Sequence, residues 1–145
     1  MDRKELENYI GLRLETEHQI ERIARMKSAE VLPALRQGDG SQHTGGDGQR
    51  MAKAVEARIV YEEQLRPQIE ANKRRLAAVE AAVAVMPNAL EREVLRLRYM
   101  DSRYCRPLKW REVAIALYGD DDQKFLDAVF RIHRTAIQNF EKISQ

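Results

Sequence analysis

The stretch that decides the fold is "WREVAIALYGDDDQKFLDAVFRIHRTAI", Trp110 to Ile137. Its two halves carry apolar residues at helical spacing, and a Gly-Asp turn separates them. "KWREVAIALYG" reads as a short helix closed by Gly119, a residue suited to the left-handed conformation of a helix C-cap. A long last helix follows, from about Asp122 to Ile143. Phe125, Val129, Ile132, Ala136, Phe140 and Ile143 form its inner stripe, widened by Leu126, Phe130 and Ile137. The face left for solvent holds Lys124, Asp127, Ala128, Arg131, Arg134, Thr135 and Gln138. Two such helices are either a helix-turn-helix or a helical pair of the same form with another use.

A reading helix needs this arrangement. A buried stripe fixes its angle, while Arg, Lys, Gln and Thr project to base edges and phosphates. Arginine suits guanine because its planar fork binds in bidentate fashion. Gln138 lies far down the helix and suits a phosphate better than a base. The aspartates pull the other way. Acidic groups in a first helical turn favour the macrodipole by ~0.3–1 kcal/mol each. Asp120, Asp121, Asp122 and Asp127 would nevertheless repel phosphates if they pointed into the groove. Either the turn lies away from DNA, or the surface binds something else. Asp120 and Asp122 have an Asp-x-Asp spacing, but the remaining ligands and the glycine of a calcium loop are missing.

Working outward, the 145 residues suit one domain or two small ones. A third of them are charged, aromatics are few, and Gly and Pro are scarce, a composition that favours an all-α protein. The net charge of +2 neither demands nor excludes a nucleic-acid partner. The single cysteine, Cys105, allows no disulfide within the chain and fits a reducing cytoplasm. No apolar run approaches the ~20 residues that span a bilayer, and "MDRKELENYI" lacks a signal core, so no membrane association is expected.

From Asp2 to Leu35 a helix is expected, with Leu6, Ile10, Ile20, Ala24 and Val31 near one face, polar Glu17 and His18 in the middle of it, and Pro33 at its end. Gln37 to Gln49, rich in glycine, reads as a flexible linker that lets the flanking helices fold back on each other. From Arg50 to Met86 the residues Met51, Val55, Leu65, Ile69, Leu76, Val79, Val83 and Met86 form a seam, with Arg58, Glu62 and Asn72 at its polar positions. That is the pattern of a coiled-coil helix with register-setting residues. Pro67 predicts a kink or break near Arg66. Asn88 and Glu91 stand at capping-box spacing before a helix with Leu90, Val94, Leu97 and Tyr99 or Met100 on its apolar face.

No catalytic constellation is present. His133 has no Ser, Cys or carboxylate arrangement around it in the sequence and reads as a half-buried structural residue. His18 and His43 are isolated, and no Cys/His cluster has metal spacing. Phosphate-loop and dinucleotide motifs are absent. Trp110 reads as a packing residue, Cys105 beside Arg103 and Arg106 as a bystander thiol, and the Lys73 to Arg75 cluster as a solvated helix face. No enzyme activity, cofactor or metal is expected.

"LEREVLRLRYMD", "WREVAIAL" and "AVFRIHRTAIQNFEKI" together resemble region four of bacterial sigma factors, and more closely the sigma-like phage regulators of the ArpU and RinA type. Glu91, Arg92, Val94, Leu95, Leu97, Arg98, Tyr99, Trp110, Glu112, Val113, Ala114, Leu117, Val129, Ile132, His133, Arg134, Ala136 and Ile137 carry the match. Two features depart from it. Here "YGDDDQKFLD" replaces a tight turn, and the loop "SRYCRP" is longer. The linker and the seam predict an N-terminal helical hairpin or coiled coil over residues 1–86, and the resemblance implies a C-terminal helix-turn-helix over 87–145. It implies a phage or prophage transcriptional regulator, acting in the bacterial host cytoplasm, that binds double-stranded DNA sequence-specifically. Lys124, Arg131, Arg134 and Thr135 would then contact bases or phosphates, Gln138 a phosphate, and Lys109 and Arg111 the DNA backbone. Homo-oligomerisation through the N-terminal helices would present two half-sites. The alternatives are a small-terminase-like packaging protein and a module that binds RNA polymerase or another protein.

Overall fold

In the computed structural model the residues described are 1–36, 46–103 and 105–143, with backbone alone over 31–36 and 46–47. The expected all-α class is observed: among the described residues there are five α-helices and no strand. They are α1 (Arg3–Arg36), α2 (Gly46–Ala84), α3 (Ala89–Leu95), α4 (Trp110–Tyr118) and α5 (Gln123–Glu141). α3 runs on as a π turn, Arg96–Met100, in which the Asp101 N–H reaches the Arg96 carbonyl at 2.8 Å. No helix among the described residues is long and apolar enough to cross a membrane.

By packing the chain divides into two compact units, and the boundary anticipated between 86 and 87 falls inside the first. That unit comprises residues 1–14 and 73–145. One apolar cluster in it joins Leu6 and Tyr9 of α1, Val79 and Val83 of α2, Leu95, Tyr99 and Met100 of α3 and its π turn, and Ala136, Ile137 and Phe140 of α5. A second joins Val113 and Ala114 of α4 to Val129 of α5, flanked by Leu97, Leu108, Trp110, Leu117, Phe125 and Leu126. α5 therefore serves both clusters, its C-terminal half in one and its N-terminal half in the other.

The ends of these helices are closed by specific groups. The Asn88 side-chain oxygen accepts from the N–H groups of Leu90 (2.9 Å) and Glu91 (3.3 Å). Gly119, at φ 76°, ends α4 in the left-handed region, and its N–H reaches the Ile115 carbonyl at 2.8 Å. Asp122 precedes α5, its carbonyl accepting from Phe125 and Leu126. At the other end of α5 the Met1 nitrogen lies 2.6 Å from the Ile143 carbonyl.

The second unit, residues 15–72, is held by a polar seam. Gln68 bonds Glu15 (2.7 Å) and Gln19 (3.3 Å), and Arg58 bonds Glu30 (2.6 Å) and Glu62 (2.9 Å). Low numbers in α1 meet high numbers in α2, so the two segments run antiparallel. Lys27 approaches Glu62 at 3.4 Å. The Glu62 carboxyl, which burial alone would raise, is held below its ordinary value by Lys27 and Arg58. The expected seam residues of α2 do face inward: Ile69 and Asn72 are buried, and Arg58, Glu62 and Leu65 partly so.

Several local expectations are corrected. α2 continues unbroken through Pro67, where one N–H is missing from the ladder of a 39-residue helix. α1 passes Pro33 and ends at Arg36, one turn later. Gly46–Gln49, expected as linker, open α2, and the rest of 37–49 lies outside the described residues. Among the described side chains of α1 the buried ones are Leu6, Tyr9, Ile10, Thr16, Gln19 and Ile23, while Ile20 and Ala24 face solvent and Val31 lies outside the described side chains. The hydrogen bonds of Gln19 to Glu15 and Gln68 turn that side of the helix inward. Leu90 is exposed because α3 turns Glu91, Val94 and Leu95 inward instead. Glu91 does not close a capping box. It is buried and accepts from the Asn139 amide of α5 at 2.9 Å.

Candidate nucleic-acid interface

The outer face of α5 follows from its inner one. Once Val129, Ala136 and Phe140 are fully buried, helical spacing puts Lys124, Asp127, Arg131, Arg134, Thr135 and Gln138 on the opposite side. All six are exposed. Lys109 and Arg111, at the start of α4, are exposed as well. No ion pair among the described residues engages Lys109, Arg111, Lys124, Arg131 or Arg134. Some of these side chains have local roles. The Lys124 ammonium lies 4.8 Å from the centroid of the Phe125 ring. The Thr135 hydroxyl donates to the Arg131 carbonyl at 3.2 Å. At Lys109 it is the backbone N–H that is engaged, by the Glu112 carboxylate at 3.0 Å.

The acidic groups are exposed too. Asp120 accepts from the Asp122 N–H at 3.1 Å, an Asx turn that shapes the link between α4 and α5. Asp127 accepts from the Gln123 amide at 2.9 Å and shares the outer face with Lys124 and Arg131. Among the described residues no group of three or more His, Cys, Asp or Glu side chains converges in a way that would hold a metal ion.

Behind this face, a set of aromatic and charged groups fixes the angle of α5. His133 Nε2 lies 2.7 Å from the Tyr99 hydroxyl, and the Trp110 ring meets the His133 ring edge-on at 4.6 Å. Trp110 also meets Phe130 at 5.3 Å, and the Arg98 guanidinium covers the Trp110 ring at 4.3 Å. Phe130, expected in the buried stripe, is 41% exposed and packs sideways on Trp110. His133 is pushed down to about 4, first by burial and then by the nearby Arg3 and Arg98 charges. Its ring is therefore uncharged at neutral pH. Burial raises the Tyr99 hydroxyl above its ordinary value, with the Arg3 and Arg98 charges acting against that shift.

The structure adds a residue that sequence spacing could not find. Arg3 of α1 joins Phe130, His133, Arg134, Ile137 and Gln138 around an open groove of about 460 Å³. It lies about 130 positions away in sequence from the residues it joins, and no local pattern signals that contact.

No protein-family model, curated protein or solved structure matches the chain.

Proposed function

We propose that the chain binds double-stranded DNA sequence-specifically as a transcriptional regulator, phage or prophage encoded, with α4, the Gly119–Asp122 turn and α5 acting as a helix-turn-helix. One observation carries this reading. α5 is anchored along its inner face in two apolar clusters, while its outer face holds Lys124, Arg131 and Arg134 exposed and, among the described residues, without acidic partners. A rigid helix with unneutralised cations, Thr135 and Gln138 beside them, has what base edges and phosphates require. Lys109 and Arg111 then grip the backbone from α4. Dimerisation through α1 and α2 would double the small surface that one such module buries. The exposed apolar Ile20, Ile59 and Val60 of the second unit favour it.

The test is a salt series of binding to DNA from the neighbourhood of its own gene, with wild type beside Arg131→Ala and Arg134→Ala. One fragment should bind far more tightly than the rest. Loss of a base contact should cost about 1–3 kcal/mol of that preference, and loss of a phosphate contact should reduce the salt slope by about 0.9. Absent binding at low salt, or binding indifferent to both arginines, would sink the reading. Sedimentation as a monomer would remove the dimer, and a ring-sized assembly would favour a packaging protein.

A second reading rests on the exposed Asp120–Asp122 turn, which suits a basic protein surface such as one on RNA polymerase. Capture by polymerase without DNA, lost on charge removal at the turn, would support it.

A further inference from the structure

Arg98 is a partly buried guanidinium with no carboxylate bonded to it among the described residues. The π turn after α3 carries it against Trp110, and its Nη1 donates to the Leu108 carbonyl. Its Nε is buried with no partner among the described residues. That atom exposes almost no surface, so it is the rest of the guanidinium, its charge uncompensated, that is open to an acceptor. Burial also holds Arg98 below the usual arginine value.

Beside Arg98 opens a cleft of about 660 Å³, lined by Leu6, Ile10, Gly11, Tyr99, Pro107 and Trp110 among others. The volume falls in the range of small-molecule sites, roughly 300–1,000 Å³. The other cations of the lining are engaged. Arg3 pairs with Glu7 at 2.9 Å, and Arg75 pairs with Glu5 at 3.2 Å. Glu7, the carboxylate in the lining, is thereby neutralised. What remains is an apolar and aromatic wall with one unpaired positive group set into it.

We propose that this cleft binds a small organic anion, its planar apolar body against Leu6, Ile10 and the aromatic rings and its carboxylate or phosphate on Arg98. The site stands independently of DNA binding. Trp110 and Tyr99 both touch His133, so an occupant bears on the groups that brace α5.

The chain's single tryptophan lines the cleft and reports on it. The full chain is titrated with benzoate, with phenyl phosphate and with uncharged benzamide, followed by Trp110 emission and by calorimetry. At least one anion should bind saturably, and benzamide about tenfold or more weakly than it, the value of one charge-assisted hydrogen bond. Arg98→Met should weaken that anion about tenfold and leave benzamide unchanged. Gly11→Leu gives a second, independent variant. A Cβ at Gly11 meets nothing within 4 Å, and its φ is not positive, so the helix accepts a side chain that fills the cleft. It should fold and lose all three ligands. The proposal is overturned if no probe binds at millimolar concentration, if anions bind no better than benzamide, or if Gly11→Leu binds like wild type.

Discussion

Acid should weaken the first unit through His133, and replacing that residue should remove the effect. The ring is pushed down to about 4 from an ordinary value of 6.5, with burial the first cause and Arg3 and Arg98 adding to it. A group with a depressed folded pKa takes its proton more readily in the unfolded chain. Its contribution is therefore complete above 6.5 and is lost as the pH falls toward 4. At about pH 4.5 linkage makes the full loss about 2.5 kcal/mol. The ring keeps part of its surface in water, and screening reduces the expected loss to about 1–1.5 kcal/mol. Gln in place of His133 never charges, and its oxygen can accept from the Tyr99 hydroxyl in place of Nε2. Urea unfolding at neutral pH and at pH 4.5, followed by Trp110 emission and far-UV circular dichroism, measures both proteins. Carboxylates such as Glu62 titrate in each and cancel in the difference. Wild type should lose about 1–1.5 kcal/mol more than His133→Gln across that interval. Parallel profiles would refute the account of a ring held neutral by burial and two arginines.

Two further substitutions probe the helices themselves. Pro67→Ala should raise the melting temperature of the second unit, because an interior proline costs a helix about 3 kcal/mol and α2 carries it without a break. An unchanged or lower melting temperature would mean that Pro67 serves the packing of that unit. Gly119→Ala should cost about 1–2 kcal/mol from backbone strain alone, since a Cβ there meets nothing within 4 Å but φ is +76°. Chemical denaturation read at Trp110 checks it, and a neutral effect would show that the turn after α4 relaxes.

What could be read from the sequence was local. The inner stripe of α5, the Gly119 cap and the polar seam at Arg58, Glu62 and Asn72 follow from spacing within one helix, where neighbours are three or four residues apart. The misreadings arise where a distant partner overrides the local pattern. Glu91 stands at capping-box spacing, yet it is taken by Asn139 across 48 positions. Ile20 was expected in the core, and the bonds of Gln19 to Glu15 and Gln68 turn Gln19 inward in its place. The π turn at Arg96–Met100 breaks the 3.6-residue period, so Tyr99 and Met100 both reach the core and Arg98 reaches Trp110. The exposed positions of the candidate interface were legible because exposure is what remains after the stripe is assigned. Its supports, Arg3, Tyr99 and Arg98, were not: the contacts of Arg3 and Tyr99 span dozens of residues, and that of Arg98 with Trp110 crosses a loop and follows from the π turn.

The aspartates can be weighed more closely with the geometry in place. The Asp120–Asp122 turn has a local structural role, an Asx bond and the start of α5, and its carboxylates stay exposed. Asp127 is different, because it shares the outer face with Lys124, Arg131 and Thr135. A carboxylate there lowers the positive potential that any phosphate backbone would feel, so it works against indiscriminate binding. It also supplies an acceptor where the major groove offers the cytosine amino donor. On the DNA-binding reading the acid therefore acts on discrimination rather than affinity. Asp127→Asn should then raise affinity for random DNA and narrow the gap between the preferred fragment and the rest. If α5 does not read DNA, the same substitution leaves DNA binding unchanged, and charge removal at the Asp120–Asp122 turn is then the variant that tests a protein partner.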